Sequence, residues 1–255
     1  MPALRPKLRS IREKLANRLL PTGVTFEPNR NDRIGALHRA WGYVVTNRIR
    51  GGYYEFGVYR GDTFQAAYHI YQGYALWVQT QLKSDEDWRR DVANDYSDFK
   101  HHFYAFDTFE GMPENQEKNV SFAQGSFYCS LDEFVRLNEA DGIKASNQVQ
   151  YLQGTFDEVK SQKASDLDRM QPAAIVNLDC DLYVSAVSAL SIIKPKLVQG
   201  TVLLADDWNT FSADRTNGER KALAEFLERE PHISLEPWFT YMYTGQAFLV
   251  HVDEK

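Results

Sequence analysis

Carboxylates close three apolar runs of this chain: Asp107 follows Phe103–Phe106, Asp179 and Asp181 follow Ala173–Leu178, and Asp206 and Asp207 follow Thr201–Ala205. If these runs are neighbouring parallel strands, the acids meet, because ligands of an open α/β sheet bind beyond the carboxyl ends of its strands. Crowded carboxylates repel one another unless protonated or neutralised by a cation. Oxygen-only ligands favour a hard ion such as magnesium. Asp179, Asp206 and Asp207 are therefore candidate metal ligands, and Asp179 is also a candidate proton acceptor. The competing reading has Asp181 and Asp207 capping turns while the other acids face water. An earlier run leads instead into a glycine loop, Glu55-Phe56-Gly57-Val58-Tyr59-Arg60-Gly61. Gly57 and Gly61 bracket a strand-to-helix turn through which backbone amides can approach a ligand. The loop lacks the G-x-G-x-x-G dinucleotide fingerprint, and the chain has no Walker-type G-K-[ST]. A small zwitterion, with Glu55 nearby, suits the loop better than a pyrophosphate. Asp107 is placed to accept hydrogen bonds from both hydroxyls of a ribose, against the alternative that it caps the turn at Thr108.

Other chemistries find little support. The six histidines form no pair at ligand spacing, so zinc is not expected. No G-x-S-x-G elbow is present. Cys180, set among carboxylates, is expected to have a raised thiol pKa and to be a poor nucleophile.

The elements that must position these groups alternate between strand and helix from Gly51-Gly52 onward, the pattern of a parallel α/β sheet. Tyr53 to Tyr59 reads as the first strand, and Asp62 to about Gln81 as the returning helix. The charged stretch Ser84 to Lys100 reads as a solvated excursion. Ala173 to Leu178 is apolar on both faces, as a central parallel strand should be. The segments around His232 to Pro237 and Gln246 to Val252 fit an antiparallel closing pair. Upstream, Ile34, Leu37, Trp41, Val44, Val45 and Ile49 keep helical spacing between Asn31 and about Arg50. Residues 1–50 are thus expected to form a helical arm, and 51–255 the ligand-binding domain. The aromatic residues Trp238, Phe239, Tyr241 and Tyr243 are core by default, or the wall of an acceptor pocket.

Composition narrows the classes. Hydrophobic residues make up 43% and charged residues 25% of the 255 residues, the balance of a globular protein. No apolar run is long enough to span a membrane. Two cysteines exclude a disulfide scaffold and fit a reducing cytoplasm. A net charge of −6 argues against a dedicated nucleic-acid binder. The charge is uneven: Arg5, Lys7, Arg9, Arg12, Lys14 and Arg18 face Glu13 alone in the first twenty residues. Leu4, Leu8, Ile11, Leu15 and Leu19 give that segment an amphipathic helical pattern. Packing on the body or exchange between subunits of a homo-oligomer is preferred over a membrane-surface or transit role.

Four segments together resemble the macrocin O-methyltransferase family: Tyr54-Glu55-Phe56-Gly57-Val58-Tyr59-Arg60-Gly61, Phe106-Asp107-Thr108-Phe109-Glu110-Gly111-Met112-Pro113, Asp179-Cys180-Asp181-Leu182-Tyr183 and Ala205-Asp206-Asp207-Trp208. The resemblance covers roughly residues 50–230. It implies a Rossmann-like class I methyltransferase sheet of about seven mostly parallel strands, the last antiparallel, behind an N-terminal helical extension. It also implies S-adenosylmethionine as methyl donor, a sugar hydroxyl of a natural product as acceptor, and magnesium at Asp179, Asp206 and Asp207. Cofactor contacts are implied at Glu55, Gly57, Tyr59, Gly61 and Thr63, with the ribose at Asp107 and the adenine near Thr108, Gly154 and Phe156. Thr155 stands where the family commonly has Trp, and Cys180 where it has Gly. Rival expectations are a metal-independent N- or carboxyl-methyltransferase and a cofactor-binding scaffold without turnover.

Overall fold

The computed structural model describes residues 30–115 and 122–253, so the basic amphipathic segment and the connector at Pro21–Pro28 lie outside the described residues. Seven strands form one sheet: β1 (Gly52–Phe56), β2 (Phe103–Asp107), β3 (Val149–Gln153), β4 (Ala173–Leu178), β5 (Leu197–Ala205), β6 (Ile233–Tyr241) and β7 (Gly245–Val252). Their spatial order is β3-β2-β1-β4-β5-β7-β6. The first five are parallel, and β7 runs antiparallel to both β5 and β6. This is the sheet that the resemblance implies. The order reverses at β1, so the crevice beyond β1 and β4 is the switch point at which ligands of such sheets bind.

Alternation along the strands builds two cores. Tyr54, Phe56, Tyr104, Phe106, Leu178 and Leu203 face α5 (Phe156–Gln162), α6 (Ala164–Arg169), α7 (Tyr183–Ile193) and α8 (Gly218–Arg229). Tyr53, Phe103, Ile175 and Val202 face α1 (Arg30–Thr46), α2 (Asp62–Gln81) and α4 (Leu131–Ala140). Successive side chains of a strand point to opposite faces, so both faces must be covered and the strands read as continuous apolar runs. Helix α1 contributes Leu37, Ala40, Trp41 and Val44 to the second core, all fully buried. Its apolar stripe is set by i, i+4, i+7 spacing from Arg33, and Ile34 lies off that stripe, 40% exposed.

Three sequence expectations need correction. The first strand ends at Phe56, not Tyr59, because Gly57 turns the chain at φ +88°. The charged stretch at 84–100 is not a solvated excursion throughout: it contains α3 (Asp87–Tyr96), whose Val92, Ala93 and Tyr96 are buried with Val45 and Val78. Its polar face hid a narrow apolar stripe at i, i+1, i+4. The C-terminal aromatic group is mixed, with Tyr241 buried and Tyr243 72% exposed.

Candidate active site

One cavity of about 590 Å³ opens at the carboxyl ends of β1, β2, β4 and β5. Glu55, Gly57, Tyr59, Thr63, Asp107, Thr108, Phe156, Asp179, Asp206 and Asp207 all line it, whereas Gly61 and Gly154 do not. None of Trp238, Phe239, Tyr241 and Tyr243 lines it either, so they do not wall this cleft.

The β1–β2 side is built from backbone hydrogen bonds. Gly57 takes a left-handed conformation in contact with the next strand end: a Cβ there would lie 1.9 Å from the Asp179 carbonyl oxygen. Only glycine fits both the dihedral and the approach. Gly61, also left-handed at φ +85°, begins α2 and acts through the chain path rather than by touching the cavity. Asp107 ties the loop down. Its Oδ2 accepts from the amides of Val58 at 2.9 Å and Tyr59 at 3.1 Å, and its Oδ1 accepts from Phe109 N at 2.8 Å. The turn-capping alternative is therefore realised, yet the carboxylate still lines the cleft. With about four lone-pair sites on a carboxylate, three such bonds leave it little capacity for a ligand hydroxyl. Gly154 donates its N–H to Asp107 O at 3.0 Å, holding the β3 tip beside the β2 tip. Thr155 caps α5 in a reciprocal box with Glu158, and Phe156 packs edge-on against Phe56 at 5.3 Å. Helix capping is a physical reason for Thr at this position.

Between the two sides lies Glu55, fully buried, with the Tyr53 hydroxyl donating to Oε2. Burial pushes its carboxyl up to about 8, against the pull of Tyr53 and Arg33.

The β4–β5 side is charge-rich. Asp179, Asp206 and Asp207 each offer a carboxylate oxygen, and these atoms lie within 4.8 Å of one another. Burial and then repulsion from Asp206 hold the Asp179 carboxyl well above the usual range. Glu219, fully buried at the start of α8, is pushed up by burial and then by Asp207. Asp207 Oδ2 and Glu219 Oε1 are buried without a hydrogen-bond partner among the described residues. The Cys180 thiol is raised, by burial first and the surrounding acids next. At this turn Asp181, not Cys180, takes the positive φ, at 59°. Among the described residues, the cation in salt-bridge contact with the cluster is Arg33 of α1. Its Nε donates to Asp206 Oδ1 at 3.0 Å, Nη2 pairs with Oδ2, and Nη1 lies 3.8 Å from Asp179 Oδ2. Burial opposes the charge on Arg33, but Asp179 and Asp206 outweigh it and keep the guanidinium protonated.

Sequence reasoning missed Arg33 and Glu219. A common signal exists for both: each is the polar member of a buried helical stripe, Arg33 with Leu37, Ala40 and Trp41, and Glu219 with Ala222, Leu223 and Phe226. A charge placed on an apolar stripe is aimed inward.

The oxygen-only donor set, the surplus of negative charge and the unpartnered buried oxygens fit a hard divalent ion.

Comparison with known proteins bears on the family and the fold. The sequence model of the macrocin O-methyltransferase (TylF) family matches residues 89–231. The 8-demethyl-8-(2,3-dimethoxy-alpha-L-rhamnosyl)-tetracenomycin-C 4'-O-methyltransferase of Streptomyces olivaceus is 25% identical over 181 residues, covering 65% of this chain and 56% of that protein. The chain thus spans little more than half the length of that curated relative. Among solved structures, the O-methyltransferase NovP superposes with a TM-score of 0.59 at 19% identity, over 88% of this chain and 80% of its own. CalS11, a calicheamicin methyltransferase, gives 0.62 at 16% identity, over 98% and 93%. At such identities the structural likeness concerns the fold alone. The family match spans more than half of the sequence and contains the Asp107, Asp179 and Asp206 motifs, and this chain belongs to the macrocin O-methyltransferase family.

Proposed function

We propose that the protein transfers the methyl group of S-adenosylmethionine to a hydroxyl of a small sugar-bearing or polyhydroxylated metabolite, with magnesium assisting. The observation that carries this reading is the shared cleft: the glycine turn and Asp107 on one side face Asp179, Asp206 and Asp207 on the other. The name of the Streptomyces olivaceus relative, a rhamnosyl 4'-O-methyltransferase, supports a sugar hydroxyl as the acceptor class.

In this reading Gly57, Tyr59 and Thr63 bound the donor site, the remaining acceptor capacity of Asp107 takes a ribose hydroxyl, and Thr108 and Phe156 flank the adenine. Glu55, uncharged when protonated, sits at the base of the cleft beneath the donor. Asp179, Asp206 and Asp207 would hold the ion. When bound, the ion supplies a Lewis acid that lowers the pKa of a hydroxyl beside it. Asp179 receives the acceptor's proton as its oxygen forms the new C–O bond and the sulfonium's C–S bond breaks, leaving a neutral thioether. Holding donor and acceptor in line is the larger part of the task, since the methyl is already activated.

One observation favours a second reading, metal-independent transfer on the same fold: Arg33 already supplies a positive charge to Asp206. Calorimetry with S-adenosylhomocysteine, with and without magnesium, separates the two when paired with methyl-transfer assays on glycosides. Cofactor binding with magnesium-dependent turnover supports the first reading. Full turnover in chelator selects the second, and no cofactor binding removes both.

A further inference from the structure

Arg33 stands in the first turn of α1 and holds Asp206 through both carboxylate oxygens, with Asp179 next in reach. These are two of the three acids whose ligand atoms lie within 4.8 Å of one another. The guanidinium thus neutralises the same charge that a divalent ion would. A second cation cannot join it without strong repulsion, because like charges a few ångströms apart in a partly desolvated cleft interact much more strongly than in water. The two sides of the ion pair differ in freedom. The Asp206 side chain is 4% exposed and follows directly on β5, while the Arg33 side chain is 35% exposed and has a path to solvent. The helix is anchored independently of the guanidinium: Asp32 Oδ2 accepts from Met242 N at 2.7 Å, and Leu37 and Trp41 are fully buried. The movable part is therefore the arginine side chain, not α1.

Building on the magnesium reading above, we propose that Arg33 is an internal counter-cation, holding Asp206 and Asp179 in the ion-free protein and giving way when a divalent cation enters. The two occupants exclude each other, so each weakens the other's hold by the same factor. Arg33 thereby keeps the acidic cleft stable when empty and sets the metal concentration at which it loads. It is a positioning residue, acting on the reaction through the acids.

The test is calorimetric titration of the full chain with magnesium chloride, comparing wild type with Arg33→Met and Arg33→Gln, together with melting temperatures in chelator. Both variants are expected to bind magnesium about tenfold more tightly or better, and to melt lower in chelator, with the loss reversed by magnesium. A measurement on the wild type alone guards against variants that do not fold: phenylglyoxal modification of Arg33, followed by peptide mass spectrometry, should quicken when magnesium is added. Equal or weaker magnesium binding by the variants, or modification of Arg33 that magnesium leaves unchanged or slows, overturns the proposal while the metal reading stands. Binding by the variants but not the wild type supports both. Binding by none of the three removes both.

Discussion

The two sides of the cleft satisfy their polar groups in opposite ways. On the β1–β2 side, Asp107 accepts from the amides of Val58, Tyr59 and Phe109, so its charge is dispersed over backbone donors that the fold supplies. On the β4–β5 side, Asp179, Asp181, Asp206, Asp207 and Glu219 crowd together, Arg33 pairs with two of them, Asp179 and Asp206, and two buried oxygens of the group find no partner among the described residues. The first arrangement pairs its carboxylate with the fold's own amides before any ligand arrives. The second is under electrostatic load and gains most from an added cation. A buried polar group left unmatched is costly, so the unmatched oxygens of Asp207 and Glu219 mark a place where the fold trades stability for chemistry.

The joint between the sides is the most sensitive point. Gly57→Ala would drive a Cβ into the Asp179 carbonyl and force alanine to φ +88°. A loss of about 4 kcal/mol is expected from the combined clash and strain, at the diagnostic end of single-residue effects. Denaturant titration measures it. A variant of near wild-type stability would mean that the β1 and β4 tips are not held in register, and the comparison would lose its basis.

Acidity gives a second way to probe the loaded side. Glu55 is raised from its ordinary 4.5 to about 8, with burial the leading cause, and Asp181 is raised by burial and by Asp207. A carboxyl with a raised folded-state pKa stays protonated where the unfolded chain has released its proton. Its stabilising effect is complete below the unfolded pKa and is lost as pH rises through the folded one. In chelator, stability should therefore fall as pH climbs from 4.5 to 8, and Glu55→Gln should flatten part of that slope. His101 works the other way: buried and lowered to about 4, it costs stability as pH falls below 6.5. A net stability that rises steadily with pH across the window would show that the acidic side carries no load.

The extent to which these features were legible in the sequence follows the same division. Acids at strand ends could be read because a parallel strand declares itself as an apolar run, and its last residue then has a known place. That put Asp107, Asp179, Asp206 and Asp207 on one rim, and the cleft contains them all. Helical partners were harder. Arg33 lies 173 residues from Asp206, and Glu219, 12 residues from Asp207, sits on a separate helix; a place on an apolar stripe tells that each points inward but not toward what. Helix α3 was obscured by its charges, since Asp87, Arg89, Arg90 and Asp91 outnumber the buried Val92, Ala93 and Tyr96. Asp107's bonds to Val58 and Tyr59 span 49 and 48 residues and depend on strand pairing, which no local pattern encodes.

A paired substitution tests the contrast most directly, with the smallest expected changes in stability. Asp107→Ala strips the acceptor from three backbone amides, and a loss of about 2 kcal/mol is expected, since bonds to a charged group contribute roughly 1.5–3 kcal/mol each and water reaches part of this site. Asp207→Asn keeps the oxygen that accepts from Thr210 Oγ1 at 2.9 Å but removes a negative charge that raises its acidic neighbours. In chelator it should be stabilising by about 1 kcal/mol, an unusual sign for a change in a cleft. The same variant should lose magnesium binding and lower kcat/KM by about 10²–10³, the range seen when one electrostatic stabiliser is removed. Both effects are read from one protein preparation, by thermal melting and by methyl transfer. If Asp207→Asn instead melts below the wild type in chelator, the β4–β5 acids are not in mutual repulsion, and the two sides of the cleft are alike after all.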